Sequence, residues 1–139
     1  MKLNCVSDMV SILGYVRNRR RENFGIVLLD NAFNFIAKKV MFVGTASSCL
    51  VGTRELLVYA LKKDASKVVI FHNHPSGDTR PSHDDVKTTD DLFEACKIVG
   101  IQLLDHIILG KNEYNSFKER DLMPENNKEE RSVADERNV

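Results

Sequence analysis

Apolar residues along the chain fall into short β-branched runs bounded by turn chemistry, interleaved with segments of helical period. Phe24 to Leu29 is the first such run, and Asp30-Asn31-Ala32-Phe33-Asn34 reads as a turn after it. Phe35 to Val43 then reads as the return strand of a hairpin, with Lys38 and Lys39 marking a wet face or a sheet edge. Lys67 to Phe71 and Ile101 to Leu109 are further strands, and Tyr114 to Phe117 is a last short one. Helical spacing predicts a weakly amphipathic segment over Val6, Met9, Val10, Leu13 and Val16 or Arg17, with Ser7-Asp8 as its cap. A second helix runs from Arg54 to about Lys63 behind a Thr53 cap, burying Leu56, Leu57, Ala60 and Leu61. A third runs from Asp84 to Val99, burying Val86, Leu92, Phe93, Cys96 and Val99, and Gly100 stops it. Strands alternating with helices predict an α/β fold, a single-domain mixed β-sheet flanked by helices.

At 139 residues and 42% hydrophobic content the chain has room for one domain with a real core. Twenty basic and twenty acidic residues cancel, which removes any global support for nucleic-acid binding and leaves only local clusters. Arg17, Arg19, Arg20 and Arg21 form one such cluster, read first as a solvated helix end and second as a phosphate-binding face. Three scattered cysteines (Cys5, Cys49 and Cys96) without a Cys-x-x-Cys pattern read as reduced thiols, and the chain as cytoplasmic. No apolar stretch is long enough to cross a membrane and no signal peptide is visible. We divide the chain into an N-terminal helical segment (1–21), a main domain (22–122) and a charged, disordered tail (123–139).

The candidate chemistry sits in His72-Asn73-His74-Pro75-Ser76-Gly77-Asp78-Thr79-Arg80-Pro81-Ser82-His83-Asp84-Asp85, between a buried strand and a helix. A loop leaving the carboxyl end of such a strand is where ligand sites form in α/β sheets. Histidines at i and i+2 on extended chain face the same way, and Asp85 in the first turn of the next helix can return to meet them. Two imidazoles and a carboxylate form a common catalytic zinc set that leaves one position for water. Each piece also has a bland reading. A lone histidine is usually solvated or hydrogen-bonded, Ser82-x-x-Asp85 is a capping box, and the Pro and Gly residues shape a turn. Their coincidence in order after one buried strand favours the site. Asn73 points away from the two histidines and reads as structural, Asp84 as a solvated first-turn carboxylate, and His83 as facing away.

His-x-His-Pro followed by Ser-x-x-Asp resembles the metal motif of the JAB/MPN (JAMM) metalloproteases. The fuller string His-Asn-His-Pro-Ser-Gly with Pro-Ser-x-x-Asp is similar to the RadC-type branch, as is Leu-Asp-His-Ile-Ile-Leu-Gly at residues 104–110. The resemblance covers roughly residues 20 to 122. It implies the α-β-α architecture shared with cytidine deaminases, and Zn²⁺ held by His72, His74 and Asp85. It also implies a glutamate at the start of the first core strand, which Glu22 fits better than its competitor Glu55, and an oxyanion-stabilising hydroxyl from Ser82. The activity implied is hydrolysis of a peptide or isopeptide bond in an unidentified peptide or protein substrate. Two other readings stay open: a DNA-associated, nucleic-acid-processing protein, and a JAB scaffold without turnover. The RadC-like pattern departs at Gly52-Thr53, where a His-Pro or Tyr-Pro pair usually precedes Arg-Glu, and no helix-hairpin-helix domain fits before residue 22. A hydrolytic deaminase is disfavoured because no Pro-Cys-x-x-Cys follows. His106 reads either as a support to the metal ligands or, more simply, as a strand histidine satisfied by a neighbour.

Overall fold

The computed structural model describes residues 1–44 and 52–124. The charged tail therefore lies almost wholly outside the described residues. In chain order the elements are α1 (Val6–Ser11), a 3-10 turn (Gly14–Val16), β1 (Glu22–Leu29), β2 (Phe35–Gly44) and α2 (Thr53–Lys62). There follow β3 (Lys67–Asn73), α3 (His83–Val99), β4 (Gln102–Leu109) and β5 (Tyr114–Ser116). The strands form one mixed sheet in the order β2-β1-β3-β4-β5. Every neighbouring pair is antiparallel except β3 and β4, which are parallel because α3 carries the chain back over the sheet between them.

Because β1, β3 and β4 are central, successive residues feed two cores. Phe24, Ile26, Leu28, Val68 and Ile70 face Leu56 and Ala60 of α2 and Leu92 and Cys96 of α3. Val27, Leu29, Val69, Phe71, Ile107 and Leu109 face Leu3, Met9, Val10, Leu13 and Val16 of the N-terminal segment. That segment thus supplies one whole layer of an α-β-α sandwich. Arg17 stitches it to the β4–β5 turn, its Nε donating to the Gly110 carbonyl (2.8 Å) and its Nη2 to that of Glu113 (2.9 Å). Strand β2 is the edge its lysines predict. Lys38 lies over the Tyr15 ring on one face (4.6 Å) and Lys39 over Tyr59 on the other (5.2 Å).

Several local expectations are corrected. The first helix ends at Ser11, its N-cap is Cys5 rather than Ser7 or Asp8, and Gly52 rather than Thr53 caps α2 without a side-chain bond. Leu61, Val86 and Val99 are exposed. The buried stripe of α3 is Asp85, Thr88, Thr89, Leu92 and Cys96, at the spacing of one helix face but polar over its first half. An apolar count selects the wrong residues there, because that half of the helix faces the candidate site. Ser82 and Asp85 do form the capping box, and Gly100 ends α3 at φ +79°, a left-handed conformation glycine adopts without strain. Among the described residues no helix is long and apolar enough to cross a membrane.

Gly25 sits at the bulge where β1 slips against β2, and a Cβ there would overlap the Lys39 carbonyl and the Phe71 ring. Gly25→Ala should therefore cost roughly 2–3 kcal/mol, the scale of overpacking a tight core, as read by urea denaturation. A loss below 0.5 kcal/mol, the scale of a change away from any packed feature, would show that the bulge yields freely.

Candidate metal centre

The antiparallel register of β1 and β3 places Phe24 opposite His72. Carried two residues further, it sets Glu22 opposite His74, with all four side chains on the face that α3 covers. The capping box then fixes Asp85 in the first turn of α3. Its Oδ2 accepts from the Ser82 N–H (2.8 Å), and its own N–H donates to Ser82 Oγ (3.0 Å). The three elements converge. His72 Nε2 lies 2.9 Å from His74 Nε2, 3.1 Å from Asp85 Oδ1 and 3.6 Å from Glu22 Oε1, and His74 Nε2 lies 3.3 Å from Asp85 Oδ2. One donor atom from each of the four residues lies within 4.8 Å of the others. Ligands 2.0–2.1 Å from a tetrahedral zinc are about 3.3 Å from one another, so this spacing fits a single small cation.

The donor set has the right chemistry as well. His74 Nδ1 faces the Asp78 carbonyl at 2.7 Å, and a carbonyl only accepts, so the proton of a neutral His74 is on Nδ1 and its Nε2 presents a lone pair. The loop is held for this contact by an exposed Asp78–Arg80 ion pair (2.7 Å), which keeps the Asp78 carboxyl at about 2. Burial pushes the Asp85 carboxyl up, but the Ser82 N–H and the adjacent His72 and His74 rings, which donate to it when protonated, outweigh burial and hold Asp85 far below the ordinary carboxylate range. The hydrogen bond to Asp85 raises His74 above the usual imidazole value, against the opposing effect of burial. Neutral imidazoles facing an ionised carboxylate make an acceptor-rich pocket that a proton or a cation must fill.

Asn73 lies between the two histidines and points to the opposite face, fully buried. Its Oδ1 accepts from the Asn23 N–H (2.6 Å), and its Nδ2 donates to the carbonyls of Arg19 and Arg21 (both 3.1 Å). Backbone on both sides of Glu22 is thus tied to the strand that carries the histidines. This sets how far the carboxylate stands from the rings.

His106 is fully buried on β4, and its Nε2 is 2.8 Å from His72 Nδ1. Its Nδ1 lies 2.6 Å from Thr89 Oγ1, whose hydroxyl donates to the Asp85 carbonyl at 2.7 Å. Burial, with the nearby His72, drives the His106 imidazole well below its usual value, so it is neutral. Phe24 stacks on His72 (5.8 Å) and Phe117 on His106 (4.7 Å), closing the rings off from water. His106 is satisfied by a neighbour, and that neighbour is His72, one of the four residues that could hold an ion. Nothing in the local sequence points to Thr89, because its role depends on the packing of α3 against β4.

Of the residues singled out by sequence, Glu22, His72, His74 and Asp85 come together. Ser82 is beside them as the α3 N-cap, exposed, its Oγ accepting from Asp85. Glu55 is exposed on α2 and His83 exposed at the start of α3, both outside the four-residue group. A cavity of about 710 Å³ lined by Lys67, Phe93, Lys97, Ile101 and Met123 lies at the other end of β3, away from this chemistry.

A mixed sheet layered by helices on both faces, with two histidines closing one strand and an aspartate opening the next helix, defines a JAB-type α/β domain. The chain belongs to the RadC-like JAB domain family, whose model it matches over residues 3–122. It is 41% identical over 124 residues to a UPF0758 protein of Clostridium perfringens, a match covering 88% of this chain and 55% of that protein. It is 42% identical over 108 residues to a UPF0758 protein of Alkaliphilus metalliredigens (78% and 47%) and 41% over 109 residues to one of Psychrobacter (78% and 48%). The chain spans about half the length of these curated relatives.

Two outcomes are expected from this geometry. Asn73→Ala should destabilise the fold by roughly 1–3 kcal/mol, since it leaves the buried Asn23 N–H short of a partner and removes a donor from the Arg19 carbonyl, while the Arg21 carbonyl keeps Asn23 Nδ2. Chemical denaturation measures that loss. The pH dependence follows from three shifted groups, His74, Asp85 and His106. Stability from the raised His74 is full below its ordinary 6.5 and is lost as pH rises through its folded value, whereas that from the depressed Asp85 is present above its ordinary 3.8 and is lost as pH falls through its folded value. The buried His106, depressed and neutral in the fold, contributes stability that is present above its ordinary 6.5 and is lost as pH falls below it, so metal-free protein should be most stable near 6.5 and weaken toward both acid and alkaline pH. Added zinc, which needs the same ring deprotonated, should reverse the alkaline slope in denaturation curves taken at stepped pH.

Proposed function

We propose that this domain is a zinc-dependent hydrolase that cleaves a peptide or isopeptide bond in a peptide or protein substrate. The observation carrying this reading is the convergence of Glu22, His72, His74 and Asp85 on one point, from three separate elements. In it His72, His74 and Asp85 hold the ion, and zinc when bound supplies Lewis-acid polarisation and lowers the pKa of water to about 7. Glu22, with its side chain 21% exposed at the rim, takes the proton of the attacking water and returns it to the leaving amine. One Ser82 lone pair is occupied by the Asp85 N–H, which leaves its hydroxyl proton free to stabilise a developing oxyanion.

A second reading has its own support, since Glu22 lies close enough to be a fourth ligand itself. A closed set of four protein ligands is the hallmark of a structural ion, which suits a scaffold without turnover. The nucleic-acid reading loses one residue of its patch, because Arg17 is committed to backbone carbonyls while Arg19, Arg20 and Arg21 stay exposed.

Metal analysis of the purified chain, combined with a panel of peptide and isopeptide-linked substrates with and without chelator, separates these readings. Glu22→Gln should retain zinc and lose hydrolysis by about 10²- to 10⁴-fold, the scale of general acid–base catalysis. Asp85→Ala and His74→Ala should lose the metal itself. Zinc lost from Glu22→Gln would identify a fourth ligand and favour the scaffold, and chelator-insensitive hydrolysis would remove the zinc mechanism.

A further inference from the structure

We propose that Thr89 and His106 are positioning residues that lock the tautomer of His72, keeping its proton on Nδ1 and its Nε2 lone pair turned toward Glu22, His74 and Asp85. The inference rests on a chain of contacts in which each link leaves one choice. It begins at the Asp85 carbonyl, which has no proton to give. Thr89 Oγ1 lies 2.7 Å from it, and two oxygens that close need a proton between them, so the single hydroxyl proton of Thr89 is committed there. Toward His106 Nδ1, 2.6 Å away, Thr89 therefore offers only lone pairs, and His106 Nδ1 must carry a proton. His106 is fully buried against the Phe24 and Phe117 rings, where a charged ring would be costly, and a neutral imidazole has one proton, so His106 Nε2 is bare. At 2.8 Å from His72 Nδ1 that bare nitrogen accepts, which puts the His72 proton on Nδ1. The remaining nitrogen of His72 then meets the site as an acceptor, 2.9 Å from His74 Nε2.

The chain of contacts starts and finishes on Asp85. Its carbonyl anchors the proton order at one end, and its carboxylate stands beside the bare His72 Nε2 at the other (3.1 Å), two acceptors facing one pocket. Residues that orient metal-binding imidazoles commonly do so through carboxylates or backbone carbonyls. Here the carbonyl acts at a distance through a threonine and a second, buried histidine.

The lock concerns the proton order whether or not an ion is bound, and its value to the domain rests on the zinc reading above. The test therefore has two arms. Nitrogen-15 NMR of the metal-free protein, taken above the pH at which imidazoles protonate, should show His72 with its proton on Nδ1 in wild type and in Thr89→Ser. In Thr89→Val the anchor is gone, and the His72 signals should shift toward the Nε2–H form. Zinc affinity, by competition with a chromophoric chelator, should fall about 10- to 100-fold in Thr89→Val and stay near wild type in Thr89→Ser. His106→Gln, whose carbonyl oxygen can accept from His72 Nδ1–H, should keep the wild-type tautomer and most of the affinity.

A threonine with a merely structural role would lower the unfolding midpoint without moving the tautomer. Wild-type His72 protonated on Nε2, or a tautomer unchanged in Thr89→Val, overturns the proposal. The wild-type spectrum decides the matter even where a variant fails to fold. A wild-type chain that takes no zinc but shows the Nδ1–H form would retire the metal reading and sustain the lock.

Discussion

Antiparallel pairing of β1 with β3, in the register that sets Phe24 against His72, is the constraint on which the rest of this domain depends. Both strands are buried on both faces, and alternate residues belong to different cores. A slip of one residue would send Ile26 and Leu28 into the layer built for Val27 and Leu29 and would turn Glu22 away from the histidines. Hydrophobic burial therefore enforces a polar geometry. Phe24 stacks directly on His72, and the alternation of the apolar residues behind it decides which side chains meet. Asn73 acts as a pin at the end of this pairing, where the hairpin of β1 and β2 would otherwise be free to splay.

The second constraint is the buried face of α3. Asp85 and Thr89 share a stripe with Leu92 and Cys96, so one helix carries both a site carboxylate and part of the apolar core. Its N-terminus is fixed by the capping box and its C-terminus by Gly100. With both ends set and its lower half packed in hydrocarbon, the helix cannot rotate to relieve strain at the polar half. Buried polar groups are costly unless each finds a partner. Here nearly all do, through short bonds among His72, His106, Thr89 and Asp85.

The parts of this picture that were legible in sequence are those carried by local chemistry. Val68 to Phe71 announces a buried strand, Ser82-x-x-Asp85 a helix start and Gly100 a helix stop. His72, His74 and Asp85 were visible because two residues on extended chain and one at a capping position have fixed local directions. Family resemblance points to Glu22; the pairing of β1 with β3 puts it beside the histidines, and a register cannot be seen in one strand alone. The failures share a cause. Leu61, Val86 and Val99 are apolar on helices whose buried face is narrower, or more polar, than hydrophobicity suggests. Thr89 and His106 acquire their roles only when α3 folds over β4, a contact between segments 17 residues apart. The N-terminal segment reads as a weak helix, and only the sheet it covers shows that it is one of the three layers.

The closed circuit of contacts around Asp85 has a consequence for how such a domain changes over evolutionary time. Rings arranged to offer lone pairs inward are poorly matched to an empty pocket, because nothing then offsets the crowding of electron-rich atoms. A descendant with no ion to hold would gain by discarding the whole assembly, filling the space with hydrocarbon and untying His106 and Thr89 together with His72, His74 and Asp85. Piecemeal decay is disfavoured, since each single loss strands a partner in the interior. Losing the assembly as a unit therefore costs the fold less than losing one member of it.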